Sequence, residues 1–133
     1  MTLEISSQDI SKIIADGDAE VLVAQSKAFG KATRVAGLTK SQIRGIFGTV
    51  RQIDAAWDKT DPRQNLRKVL LLKPRLAYQA AREHKVKPLT KVLTDAIEVV
   101  AKGQDAVEQK QRFGYFVNLF EAILAYHTAA GGR

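Results

Sequence analysis

Between Asp105 and Ala129 apolar residues recur at three- and four-residue steps: Phe113, Phe116, Val117, Phe120, Ile123 and Leu124. That period places them on one stripe of a helix roughly seven turns long at 3.6 residues per turn. Gly131-Gly132 stops it. So long an apolar stripe is stable only when other elements cover it, and the rest of the chain offers more helices to do so. Ser6 or Ser7 can cap a first helix carrying Ile10, Ile13 and Ile14 and ending near Gly17. Asp18 starts a second, with Val21, Leu22, Ala24, Ala28, Ala32 and Val35 before Gly37. Thr39-Lys40-Ser41-Gln42 has the form of a capping box, in which the Thr39 hydroxyl takes the Gln42 amide and Gln42 reaches back. The spacing then predicts a third helix from Lys40 to about Asp58 with Ile43, Ile46, Phe47, Val50, Ile53 and Trp57 on one side.

Asp61-Pro62 reads as an N-cap with proline at the first helical position, and Pro74 predicts a kink or restart before the helix runs on to about Glu83. After a loop at Lys85-Val86-Lys87, Pro88 opens a helix with Leu89, Val92, Leu93, Ala96, Ile97 and Val100 on one side, ending at Gly103. No segment alternates with period two between turn signals, so no sheet is expected. The fold class expected is all-α, a single-domain bundle of five or six helices spanning residues 1–133. With 45% apolar and 26% charged residues the chain can build a core and is neither disordered nor membrane-embedded in composition. The absence of cysteine excludes disulfides, thiolate metal sites and cysteine nucleophiles. It also fits a reducing cytoplasm, the location expected here, because MTLEISSQD lacks the basic end and apolar stretch of a signal peptide. No apolar run approaches the roughly 20 residues of a membrane span, and no membrane partner is expected.

The formal charge of +7 directs attention to phosphate-bearing polymers, and its distribution says more than its total. From Lys27 to Lys91 there are 16 basic residues and four acids, a local charge of +12 in a chain whose remainder carries −5. Lys31, Arg34, Lys40, Arg44 and Arg51 follow one another without an intervening acid. At helical spacing Lys40, Arg44, Gly48, Arg51 and Ala55 share a face where basic residues alternate with small ones, so a rod-like polyanion could come close. The competing reading of Gly48 is tight helix packing. A second face, Arg75, Tyr78, Gln79 and Arg82, follows Pro74; Tyr78 can stack on a base or seal the core, and the core is the expectation. Lys40, Arg44, Arg51, Lys73, Arg75 and Arg82 are the candidate contacts to the phosphates of such a polyanion, RNA if the resemblance described below holds.

Little in the sequence suggests catalysis, and neither a cofactor nor a metal is expected. His84 and His127 are the only imidazoles: His127 falls on or beside the stripe of the last helix, where packing or capping is its natural role, and His84 near a helix C-terminus. Asp54 and Asp58 could share a cation, but each has a base close in sequence, Arg51 and Lys59. Gly45 and Gly48 lie inside a helical pattern and not in a strand-to-helix phosphate loop.

Three segments carry a family resemblance. The string Leu38-Thr39-Lys40-Ser41-Gln42-Ile43-Arg44, followed by Ile46-Phe47, is similar to the signature of the small subunit of type III-A CRISPR effector complexes, the Csm complex. LKPRLAYQAAR at Leu72–Arg82 resembles that family's central motif, and FEAILAYH at Phe120–His127 with Gly131-Gly132 its C-terminal one. The resemblance runs from about Leu38 to the end, and the first 37 residues share only helical character. It implies a noncatalytic helical protein in several copies, associated with itself as a filament and lined along the guide RNA and its target RNA beside the backbone and large subunits. In such complexes target cleavage belongs to the backbone subunits, and the DNase and cyclic-oligonucleotide activities to the large one. Within the motifs Gln42, Tyr78, Tyr126 and His127 can equally serve the fold, and Arg44 can pair with Glu121 or Glu98 inside the bundle instead of meeting RNA. Two other readings fit the charge alone: a stand-alone helical nucleic-acid-binding module, such as a DNA-bending or helix-turn-helix protein, and an adaptor whose basic face meets an acidic protein partner.

Overall fold

The structure, a computed structural model, describes residues 3–42 and 44–132. Among these the helices are α1 (Ser7–Ile14), α2 (Ala19–Val35), α3 (Arg44–Ala55), α4 (Pro62–Leu70), α5 (Leu72–Arg82), α6 (Lys87–Ala101) and α7 (Ala106–Ala129), with 3-10 turns at Lys40–Gln42, Trp57–Lys59 and His84–Val86. No strand occurs among the described residues, and the fold is all-α. Leu71 alone separates α4 from α5, standing at the end of one and the start of the other, and with that pair taken together the helices among the described residues number six. Pro74 falls in the first turn of α5, where its missing N–H removes no intrahelical bond.

The caps explain why the helices begin where they do. Ser6, Asp18 and Asp105 each accept a hydrogen bond from the backbone N–H three residues on, at 3.1, 3.1 and 2.8 Å. Asp61 takes the N–H of Arg63 at 2.8 Å with Pro62 following as the first helical residue. Gly37 and Gly131 adopt φ of +86° and +91° just past the ends of α2 and α7, the left-handed conformation that ends a helix.

The third helix is shorter than its periodicity predicts. The Gln42 side chain accepts from the Thr39 N–H at 2.9 Å, but the Thr39 hydroxyl bonds the Ser41 hydroxyl at 3.1 Å and does not cap. The Gln42 N–H instead meets the Thr39 carbonyl at 3.2 Å, the bond of a 3-10 turn. At the other end Trp57 leaves the helix in a second such turn and stacks on Phe113 of α7, ring centroids 4.7 Å apart. Ile46, Val50 and Ile53 are buried and Phe47 and Trp57 half-buried, whereas Ile43 lies outside the described residues.

Helix α7 occupies the middle, packed against α1, α2, α3 and α6. Phe113, Phe116, Val117, Leu119, Phe120, Ile123 and His127 are all buried on it. Its closest neighbour is α2. A Cβ at Gly30 would lie 2.8 Å from the His127 backbone nitrogen and 2.9 Å from the Ile123 carbonyl oxygen. One turn on, the Thr33 hydroxyl donates to the Gly30 carbonyl at 2.7 Å, which leaves its oxygen to accept from His127 Nδ1 at 3.2 Å. His127 is thus packed between helices, as its place on the stripe predicts.

Two substitutions test this packing. Gly30→Ala improves helix propensity by about 1 kcal/mol, yet the backbone of α7 blocks the new methyl group. A net loss of roughly 1–3 kcal/mol is expected, read as a lower melting temperature, and a rise would contradict the close approach. At the start of α3, Gln42→Ala removes the one side-chain bond to the Thr39 N–H and should cost about 0.5–1.5 kcal/mol, with Thr39→Ala costing less; the reverse order in urea denaturation would restore the hydroxyl as the cap.

Candidate nucleic-acid interface

Burial of Ile46, Val50 and Ile53 turns the opposite side of α3 outward, and Arg44, Gly48, Arg51 and Ala55 are all exposed there. Arg44 makes no ion pair among the described residues. Arg51 is held from two sides. Its guanidinium carbon lies 5.7 Å from the centre of the Phe47 ring, which packs edge-on against Phe120 at 4.9 Å, and one nitrogen approaches Glu121 at 3.5 Å. The two charged side chains are 60% and 62% exposed, so the pair is weak and easily exchanged. Of the two acids named as alternative partners for Arg44, Glu121 engages Arg51 and Glu98 engages Lys73, and neither meets Arg44. Lys40 sits half-buried in the 3-10 turn before α3, so the period of that helix does not govern it.

Gly45 and Gly48 are exposed with nothing within 4 Å of where a Cβ would stand. Tight packing is therefore not the reason for glycine at position 48. The absent side chains leave bare backbone at Gly48 on the arginine side of α3 and at Gly45 on the side carrying Thr49 and Gln52.

On α5 the candidate residues separate. Arg75 is exposed and lines a groove of about 370 Å³ between α3 and the α4–α5 junction, shared with Thr49, Gln52 and Ile53 on one bank and Lys68, Leu71 and Leu72 on the other. Lys73, two residues earlier, points elsewhere and forms an ion pair with Glu98 of α6. That hydrogen bond, with the charge of Lys73 behind it, holds the Glu98 carboxyl below the usual carboxylate range. Arg82 lies over the Tyr78 ring at 5.6 Å and approaches its hydroxyl at 3.4 Å. Tyr78 is 59% exposed, so the expectation that it seals the core is wrong: Leu72 and Leu76 fill that role, and the ring lies under an arginine at the surface. Asp58 pairs with Lys110 of α7 at 2.6 Å instead of a neighbour in sequence. Among the described residues no three His, Asp or Glu side chains gather as a metal site.

The structure adds two groups of cations to the candidates. Lys68 faces Arg75 across the break between α4 and α5, a relation that a seven-residue spacing suggests only if the two helices are read as one rod. Lys27, Lys31 and Arg34 border a second groove, of about 350 Å³, with Val35 of α2 and Tyr126 of α7. Their steps of four and three residues, inside the acid-free basic run, are the signal in the sequence that points to them.

The family model of Csm2 type III-A matches residues 16–133. The chain belongs to the Csm2 family. It is accordingly a small subunit of the type III-A CRISPR complex, with other Csm subunits as its partners. The match begins just past the end of α1 and takes in all of α2, so the family pattern extends well before Leu38, where the sequence motifs start. No curated protein and no solved structure matches the chain. No helix among the described residues is long and apolar enough to cross a membrane.

Two measurements check the site's electrostatics and geometry. Glu98 has its folded pKa depressed, so its pair with Lys73 adds stability above the unfolded carboxylate value, about 4.3, and that contribution is lost as pH falls through the folded value. Lys73→Met should return the Glu98 titration, followed by carboxyl NMR, to the ordinary range; an unmoved titration would mean that the pair does not form in solution. Gly48→Ala should raise stability by roughly 0.5–1 kcal/mol, because the position is an open helix interior; a lower melting temperature would reveal a neighbour packed on that face.

Proposed function

We propose that this Csm2-family subunit lies along the guide RNA and its target in the effector, in several copies, and holds the sugar–phosphate backbone on the side of α3 and α5 without cutting it. The proposed contacts are Lys40, Arg44, Arg51, Arg75 and Arg82, with Lys73 the weakest because Glu98 shares its charge. The observation that carries this reading is Arg44, Arg51 and Arg75, exposed on two helices that face a common groove, with Arg44 and Arg75 free of any acid among the described residues. Exposed guanidinium groups on rigid helices suit phosphate oxygens, which position a strand without reading its bases. A +7 chain also speeds encounter with a polyanion. One compact domain, a cytoplasmic setting and a filament of adjacent copies complete the proposal. In it the subunit is structural, and chemistry falls to the other members of the complex.

The test is the double variant Arg44→Ala/Arg51→Ala. Affinity for single-stranded RNA, measured by fluorescence anisotropy, should fall alike for a sequence and its scramble. The slope of log affinity against log salt should become shallower by roughly 0.7 for each phosphate that is no longer neutralised. The apolar side of α3 is untouched, so helicity and melting temperature should hold. An unchanged slope with a lower melting temperature would move both arginines from the interface to the scaffold.

A further inference from the structure

The groove between α3 and the α4–α5 junction has a composition that phosphate binding alone does not require. Its floor is apolar: Ile53 and Leu72 are buried, and Leu71 stands at the side 49% exposed because the helix breaks there. Its rim is cationic, with Lys68 and Arg75 making no ion pair among the described residues. On the α3 bank the Gln52 amide has no hydrogen-bond partner among the described residues and offers both a donor and an acceptor. An anion alone would gain nothing from the leucine and isoleucine surface, and a purely apolar ligand would leave the two cations unanswered.

One unit of a single RNA strand satisfies both requirements, since it joins a flat, largely apolar ring with polar edges to a charged phosphate. The volume of about 370 Å³ lies at the small end of ligand pockets and suits a base with its ribose better than a helix from another protein. The approach is also open. Arg44, Gly48 and Arg51 lie on the outer side of α3, and Gly45 lies with Gln52 and Thr49 on the side toward the groove; neither glycine has a side chain above it. A strand resting its phosphates on the arginines can cross bare backbone there and lower a base to the groove floor.

We propose that this groove receives an unpaired nucleobase from a single RNA strand whose flanking phosphates contact Lys68 and Arg75, a subsite that rests on the RNA-backbone reading above. With no aromatic ring in its lining, the groove holds the base by apolar contact and by the Gln52 amide, and so accepts pyrimidines and purines with little distinction. Lys68, outside the candidates read from sequence, becomes a phosphate contact.

The experiment compares a short oligouridylate with its abasic counterpart of equal length on the full chain, by anisotropy at one salt concentration, for the native protein and for Leu71→Asn. That substitution keeps the shape of the side chain and adds no charge, removes the apolar wall, and falls at an exposed position outside the core, so the fold should persist. The native protein should bind the base-bearing strand about fivefold tighter than the abasic one, and Leu71→Asn should erase most of that difference without changing its abasic affinity. Equal, salt-sensitive affinity for both strands would overturn the base subsite while leaving the phosphate contacts standing. Failure to bind either strand would overturn both readings.

Discussion

Everything in this fold is arranged around covering α7. Its buried positions run from Leu119 round to Val117, an arc wider than the roughly 100° stripe of a surface helix, so more than one neighbour is needed to cover it. Helices α1, α2, α3 and α6 share the work, and the aromatic side chains divide it: Phe113 takes Trp57, Phe120 takes Phe47, and Phe116 lies between them. The approach of α2 is set by Gly30, whose missing side chain lets two backbones nearly touch. Because α7 fixes where α3 lies, the basic side of α3 is positioned by the core and not by interactions of its own.

The parts of this architecture that are local in sequence are legible there. Capping side chains at Ser6, Asp18, Asp61 and Asp105, proline at 62 and glycines at 37 and 131 mark helix ends by chemistry confined to a few neighbouring residues. The core stripe of α6 follows from spacing alone, and that of α7 does so except at its edges, where Leu119 is buried and Leu124 only half-buried. Legibility ends where the outcome depends on what another element brings. Periodicity carries the third helix on through Trp57, but a ring 56 positions away draws that side chain into a 3-10 turn. The same periodicity shows that Tyr78 and Arg82 share a face, and cannot show that Leu72 and Leu76 already fill the space beneath them.

The same limit governs the candidate site. A net charge identifies the cationic half of the chain, but whether a given cation is available depends on the acids of distant helices. Glu98 on α6 claims Lys73, and Glu121 on α7 lies beside Arg51. The groove is less legible still, since it exists only where the break at Leu71 comes to lie against α3. What the family motifs add is a functional setting that neither periodicity nor charge contains.

The two ion pairs also differ in what they imply for a polyanion. The pair of Lys73 with Glu98 is the more enclosed, its side chains 34% and 47% exposed, and it ties α5 to α6, so releasing the lysine would loosen the packing of those helices. Arg51 and Glu121 are both mostly in water at 3.5 Å, where an ion pair contributes about 0–1 kcal/mol, and breaking it leaves Arg51 still resting on Phe47. That ring is anchored on Phe120, so the guanidinium keeps its position while its charge changes partner. A phosphate, which accepts two guanidinium hydrogens at once, can displace such a carboxylate at small cost. In the proposed interface Glu121 is then less a competitor than a placeholder, holding the arginine over the Phe47–Phe120 pair where a strand crossing α3 would meet it.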